Sequence, residues 1–98
     1  MEEIKLELNQ RGDGAFYLLQ DNVIVGKMLV GIIGNDLNVY HTEALIEGKG
    51  FAKKLLEEMV AYAREHQLKV TAYCPYVHAQ FKRHPEQYHD IWLENKKN

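Results

Sequence analysis

An α+β fold with a mixed sheet is what this sequence predicts, on three observations. The first forty-odd residues are short apolar runs separated by Gly, Asn and Asp turns. The hydrophobic period then changes from about two to about 3.6 over one long segment. A strand stands on each side of that segment, and such a crossover makes its two strands parallel.

Ile4 to Leu8 alternates apolar with charged residues, the pattern of a strand with one face in the core. Arg11-Gly12-Asp13-Gly14 is turn chemistry, and Ala15 to Gln20 a second strand. Asp21-Asn22 turns the chain into a third, Val23 to Ile33, where Gly26 and Gly31 are expected at bulges or edge twists. Gly34-Asn35-Asp36 leads into a fourth, Leu37 to Thr42. Phe51, Leu55, Met59, Tyr62, Ala63 and His66 recur at three- and four-residue steps, predicting an amphipathic helix over about residues 50–66. Leu68 to Tyr73 is a fifth strand, ending where Pro75 biases Cys74 towards an extended backbone. Val77 to Arg83 predicts a short helix. Pro85 suits the first turn of a last one through Leu93, with Ile91 and Trp92 expected to pin it to the sheet. Glu94 to Asn98 is a polar tail.

Composition bounds the function. Ninety-eight residues fit one domain, so residues 1–98 are read as a single minimal unit. Hydrophobic residues at 46% and charged residues at 27% exclude a disordered chain. Twelve basic against 14 acidic residues, a formal charge of -2, exclude nucleic-acid binding driven by net charge. One cysteine excludes an internal disulfide and a cysteine-only metal site, and a reducing cytoplasm is the simplest location. No apolar run approaches the roughly 20 residues of a membrane span. Met-Glu-Glu-Ile-Lys lacks the apolar stretch of a signal peptide. His84 and His89 stand five apart, not four as in His-Glu-x-x-His, so no metal is expected. A small monomer is the default.

Ligands of parallel strands sit beyond their carboxyl ends. Those ends carry His41-Thr42-Glu43 and Tyr73-Cys74. Between fourth strand and helix runs Glu47-Gly48-Lys49-Gly50-Phe51-Ala52-Lys53-Lys54. The first N–H groups of a helix have no internal partner, and the helix dipole adds positive charge there. Gly48 and Gly50 let a phosphate approach the backbone, and Lys49, Lys53 and Lys54 add cations. A pyrophosphate is the natural ligand; the plain alternative is a glycine-rich loop that merely begins a helix. The segment is neither a Walker A loop nor a dinucleotide fingerprint, since Lys53 replaces the latter's third glycine.

The segment resembles the acetyl-CoA loop of the GNAT superfamily of N-acetyltransferases, whose pattern is Gln/Arg-x-x-Gly-x-Gly/Ala. Gly50 and Ala52 match its second and third fixed positions, and Glu47 departs from the first. The chain is similar to the short, single-domain branch of that superfamily. The likeness runs through His41-Thr42-Glu43, Gly48 to Lys53, Cys74-Pro75 and Arg83-His84-Pro85-Glu86, and covers roughly residues 14–92. It implies a GNAT-like mixed sheet with acetyl-CoA or coenzyme A between the two parallel strands. Pantetheine would follow the fourth strand at Thr42 and Ala44. Its pyrophosphate would sit on the N–H groups of Gly48, Lys49, Gly50, Phe51, Ala52 and Lys53, with Lys54, Cys74 and Tyr76 also at the cofactor. The branch lacks two helices that cover the acceptor in larger relatives, and only Asn9 to Gly14 separates the first two strands here. An open acceptor site is implied.

Acetyl transfer needs an amine without its extra proton, a polarised thioester, a stabilised leaving thiolate and partners held in register. Cys74 is the leading candidate, as nucleophile, as donor to the thiolate, or as a buried structural cysteine. His41 and Glu43 share one strand face if alternation holds, and either is a candidate base; the alternatives are a hydrogen-bonded sheet histidine and an exposed strand-end acid. Tyr73 and Tyr76 flank Cys74-Pro75; a tyrosine hydroxyl there is a candidate to protonate the leaving thiolate, with packing the expected role. His78, Lys82, Arg83 and His84 form a small basic patch. Three functions fit these residues: an acetyl-CoA-dependent N-acetyltransferase acting on an amine by direct attack or through Cys74, a CoA-binding module with little catalysis, and, against the net charge, a phosphate- or nucleic-acid-binding domain.

Overall fold

The turns dictate the front of the sheet. Asp21 and Asn22 both adopt positive φ, 51° and 70°, the geometry that a two-residue hairpin turn demands. Gly34 does the same at 59° in the next hairpin. In the computed structural model, which describes residues 2–46 and 48–93, these turns join β1 (Glu2–Leu8), β2 (Asp13–Gln20), β3 (Val23–Ile33) and β4 (Asp36–Ala44) into an antiparallel meander. The long helix α1 (Phe51–Glu65) comes next, then β5 (Lys69–Ala72), which pairs with β4 in parallel from Asp36–Lys69 to Val39–Ala72. The five strands lie in sequence order. The mixed α+β sheet expected from the sequence is the one observed. Glu47 and the tail, residues 94–98, lie outside the described residues.

Strand alternation sends Phe16, Leu18, Met28, Val30, Leu37, Val39 and Val70 to one face, where α1 covers them with Phe51, Leu55, Leu56, Met59, Val60 and Ala63. All are at most 5% exposed. Burying each such large side chain contributes about 1.5–3 kcal/mol, so this seam holds the sheet to the helix. After β5 the chain returns through α2 (Pro75–Arg83) and α3 (Pro85–Tyr88), and Val77 and Phe81 of α2 join the same core. Arg64 of α1 donates to Asp90 at 3.0 and 3.2 Å and to the Gln87 carbonyl. That clamp sets the α3 turn beside α1, so the helices share one side of the sheet. Among the described residues no helix covers the opposite face, and Leu29, Ile33, Tyr40 and Tyr73 lie on it exposed.

The last helix is shorter than the expected run to Leu93. It stops at Tyr88, and the chain turns to lay Trp92 against Val70 in a parallel bridge. The Val70 N–H donates to Ile91 C=O at 2.6 Å, and Leu93 N–H to Val70 C=O at 2.8 Å. The free edge of β5 decides this: its unpaired backbone groups offer partners that a continued helix would leave unused. Ile91 is buried, and Trp92 packs edge-on against Phe81 and His78, so these two residues do pin the segment.

Two irregularities interrupt the antiparallel ladders. The β2–β3 register shifts at Leu18/Leu19, leaving Val25 as an extra residue beside Gly26. The β3–β4 register shifts where Val39 opposes Val30 but His41 opposes Leu29, so Tyr40 is the extra residue of a bulge. Gly31 makes room for it: a Cβ there would meet the Tyr40 hydroxyl at 3.0 Å and its ring at 3.1 Å.

Candidate functional site: a strand fork beside a helix end

The bulge at Tyr40 has two consequences. First, Tyr40 and His41 fall on the same, helix-free face, which shifts the alternation of every later residue in β4. Thr42 opposes Met28, a core residue, and so faces α1; Glu43 opposes Lys27 on the open face. His41 and Glu43 therefore do share a face, as alternation required, but it is the face away from the helices. Second, the parallel ladder ends. Both Tyr73 and Cys74 donate their N–H groups to the single carbonyl of Val39, at 2.9 Å each. Beyond that point β4 runs on to Ala44 with no ladder partner in β5. The two parallel strands fork, and the fork opens towards the N-terminus of α1.

Cys74 sits at the base of the fork. It is 2% exposed, occupies the position that caps α2, and directs its Sγ to Thr42 Oγ1 at 3.3 Å. A thiol that donates there leaves the threonine's own hydroxyl hydrogen available to a third group. Cys74 and Thr42 are thus brought together, while His41, exposed, stands across the sheet from them. Glu43 is half-buried, with Lys27 Nζ at 3.9 Å, a loose surface pair. Ala44 is half-buried on the helix side of the fork.

Gly48 and Gly50 adopt positive φ, 82° and 70°, and nothing lies within 4 Å of where their Cβ atoms would be. No crowding in the protein requires glycine here; the backbone conformation does, and the space beside it is open. Gly50 caps α1 without a side-chain hydrogen bond, and the first turn holds no acidic residue. The first helical bond runs from Lys54 N–H to Gly50 C=O, so the amides of Phe51, Ala52 and Lys53 have no partner inside the helix. Lys49 and Lys53 are exposed beside them. Lys54 is drawn elsewhere: its Nζ binds both carboxylate oxygens of Glu2, at 2.8 and 3.0 Å, and holds that carboxyl below its ordinary range. Phe51 is buried, so it offers its amide rather than its ring.

Tyr76, on the first turn of α2, is half-buried; burial first, then Tyr88, Glu57 and Cys74, push its hydroxyl above its ordinary range. It therefore stays a neutral donor near pH 7. Two grooves of about 390 and 420 Å³ lie elsewhere, one between α1 and α3 at Arg64 and Tyr88, the other between β1 and α1 at Glu3 and Glu57. Neither touches Cys74 or the glycine loop. Among the described residues no group of three or more His, Cys, Asp or Glu is placed to hold a metal ion, and no helix is long and apolar enough to cross a membrane.

Sequence reasoning expected bulges or edge twists at Gly26 and Gly31, beside which both register shifts fall, but not the extra residue at Tyr40 or the Thr42–Cys74 contact that depends on it. The available signal was Gly31, a glycine inside an apolar strand, which marks a close approach without saying by what.

Known proteins share this fold. Residues 15–91 match a family described as GCN5-related N-acetyl-transferase. A solved ribosomal-protein-alanine N-acetyltransferase from Brucella melitensis biovar Abortus 2308 is similar in fold, with a TM-score of 0.65 at 21% identity, over 91% of this chain and 67% of that one. An aminoglycoside acetyltransferase from an uncultured soil metagenomic sample, solved with trehalose, gives 0.60 at 18% identity, over 76% of this chain and 57% of that one. At such identities the likeness is one of fold. No curated protein matches.

Proposed function

This chain belongs to the GCN5-related N-acetyltransferase family, and we propose that it transfers an acetyl group from acetyl-CoA to an amine by direct attack, as one minimal domain. The observation that carries this reading is the fork itself: β4 leaves β5 after Val39, beside a helix end without acidic residues. The pyrophosphate would lie on the amides of Phe51 to Lys53, between Gly48 and Gly50, with Lys49 and Lys53 as counter-charges. Pantetheine would take the place β5 vacates along Thr42 and Ala44. The same vacated strand edge offers amide donors to the thioester carbonyl, where negative charge develops.

The amine arrives from the open face, where His41 and Glu43 stand to take its proton. Its nitrogen attacks the thioester carbon, the tetrahedral intermediate collapses, and the coenzyme leaves as a thiolate that must gain a proton. Thr42 is suited to donate to it, oriented by the Cys74 thiol at 3.3 Å. Cys74 is then a positioning residue. Tyr76, neutral and half-buried on the first turn of α2, would be a second donor to the coenzyme. A lone buried thiol suits a reducing cytoplasm.

A second reading, a coenzyme-binding module with little catalysis, draws support from the separation of Cys74 from His41 and Glu43 by the sheet. Calorimetric titration with CoA, acetyl-CoA and dephospho-CoA, then thiol release across an amine and peptide panel, separates the two. Saturable binding with amine-dependent thiol release is expected. Binding without release selects the module, and no binding removes both.

A further inference from the structure

Tyr73 is the residue left without work. It is 63% exposed, it comes just after the last paired residue of β5, and its ring touches Tyr40, stacked at 5.8 Å between centroids and 17° between planes. Tyr40 has a structural task, since its ring lies over Gly31. Tyr73 stacks on Tyr40 and is otherwise largely exposed. Two tyrosines thus form a shelf on the open face, at the mouth of the fork.

The charges around this shelf are unbalanced. An Asp13 carboxylate oxygen and the Tyr40 hydroxyl converge on the same point above Gly31, at 2.9 and 3.0 Å from where its Cβ would be. Glu43 lies on the same face and is balanced by Lys27 at 3.9 Å, which leaves the Asp13 carboxylate as the excess charge among the described residues. His41 is adjacent in sequence to Tyr40. Lys69, at the far end of β5, is held by the Asp90 carbonyl. Leu29, paired with His41, adds exposed apolar surface. Aromatic faces attract a cation, carboxylates reinforce that preference, and an apolar floor suits a methylene stem. An anion or a polyol has little to gain here.

We infer that the Tyr40–Tyr73 shelf binds a primary ammonium carried on an apolar stem, the lysine side chain being the natural form, and holds it at the open mouth of the fork. This deepens the acetyltransferase reading by naming the acceptor, and only its kinetic consequence rests on that reading. A lysine-type stem lying along Leu29 and the two rings presents its nitrogen beside His41, which takes the proton before attack.

The test begins with binding alone. Tyrosine ring resonances of the full chain are tracked by NMR while pentylammonium, pentanol or pentanoate is added. Saturable shifts at Tyr73 and Tyr40 with the ammonium, several-fold weaker with the alcohol and absent with the carboxylate, are expected. Equal response to the alcohol, or shifts confined to other residues, overturns the proposal whether or not coenzyme binds. The kinetic arm uses Nα-acetyl-lysine methylamide as acceptor. Tyr73→Leu, which keeps an apolar body without a ring face, is expected to raise KM about tenfold. Tyr73→Phe is expected to restore KM to within about twofold, and CoA affinity by calorimetry stays the same in both variants. A KM indifferent to Tyr73→Leu overturns the assignment. Failure of CoA to bind any form removes the acetyltransferase reading instead, and leaves the NMR result to decide the shelf.

Discussion

β4 and β5 behave differently on the two sides of Val39. Below it, Leu37 and Val39 are fully buried against α1, and every residue to Asp36 has a parallel partner in β5. Above it, Tyr40 and His41 are exposed, Thr42 to Ala44 are half-buried, and the partner strand has gone. One strand therefore serves as scaffold in one half and as site in the other, and the change takes a single extra residue. A bulge is suited to this because it bends the strand and re-aims its side chains without costing the ladder on its far side.

The contrast is broken most heavily from the scaffold side. Leu37→Ala is expected to cost about 2–5 kcal/mol, because it removes buried volume that α1 cannot refill. Urea denaturation measures it. Acetyl transfer per folded molecule should stay near the parent value, and a large loss of turnover in the folded fraction would mean that the two halves are not separable.

Deleting Tyr40 attacks the other half. The β3–β4 ladder becomes regular, and His41 onward keep their present faces, because Tyr40 is the only unmatched residue there. What disappears is the bend that opens the fork, together with the Tyr40 half of the ring shelf. Stability should change by about 1 kcal/mol or less, while transfer falls on the order of 100-fold, equivalent to ~2.7 kcal/mol of transition-state binding. Parent-like transfer from a folded deletion variant would place the site elsewhere.

The glycine loop sharpens the comparison at the mouth of the fork. Gly50→Ala meets no atom within 4 Å, yet must hold a φ of 70°. An L-residue there costs about 1–2 kcal/mol, visible in the urea midpoint. The same side chain would stand in the path proposed for a pyrophosphate, so CoA affinity should fall about tenfold, more than for an alanine at Gly34, a positive-φ turn remote from the fork. Equal affinities in the two variants would separate the loop from the coenzyme.

The scaffold was legible in the sequence because its signals are local: Phe51, Leu55 and Met59 repeat at helical spacing, and Asp21-Asn22 and Gly34 announce hairpins. Much of the site was legible by place, since strand ends and a glycine-rich helix start are also local features. Its orientation was not. Whether Tyr40 is matched or unmatched depends on how β3 pairs with β4, and nothing in Val39-Tyr40-His41 marks it. Lys54 reads as one of three loop cations, but its partner Glu2 lies 52 residues away. Trp92 reads as helix because a one-residue bridge has no period. Each miss is a relation between segments that are far apart in the chain.

The smallest effect expected is on pH, and it belongs to the scaffold alone. Arg64 holds the Asp90 carboxyl below its ordinary range, mainly through the hydrogen bond between them, and Asp90 in turn raises Arg64. A carboxyl whose folded pKa is depressed stabilises the fold above its unfolded pKa of about 3.9, and that contribution is lost as pH falls through the folded value. Both side chains are roughly half exposed, at 47% and 49%, so water and salt screen the pair and the contribution is small. Wild type and Asp90→Asn should therefore differ slightly in urea midpoint at pH 6, with a difference that shrinks progressively as pH falls below about 3.9 and at high salt. The Asp90 carbonyl that holds Lys69 is backbone and survives the substitution, so the segment that closes the β5 edge stays in place. CoA affinity should not change with it, because the clamp lies on the scaffold side and the fork opens at the other end of β5. Weaker coenzyme binding in Asp90→Asn would show that the strap over β5 reaches the fork, and that the division at Val39 is less complete than the hydrogen bonds make it.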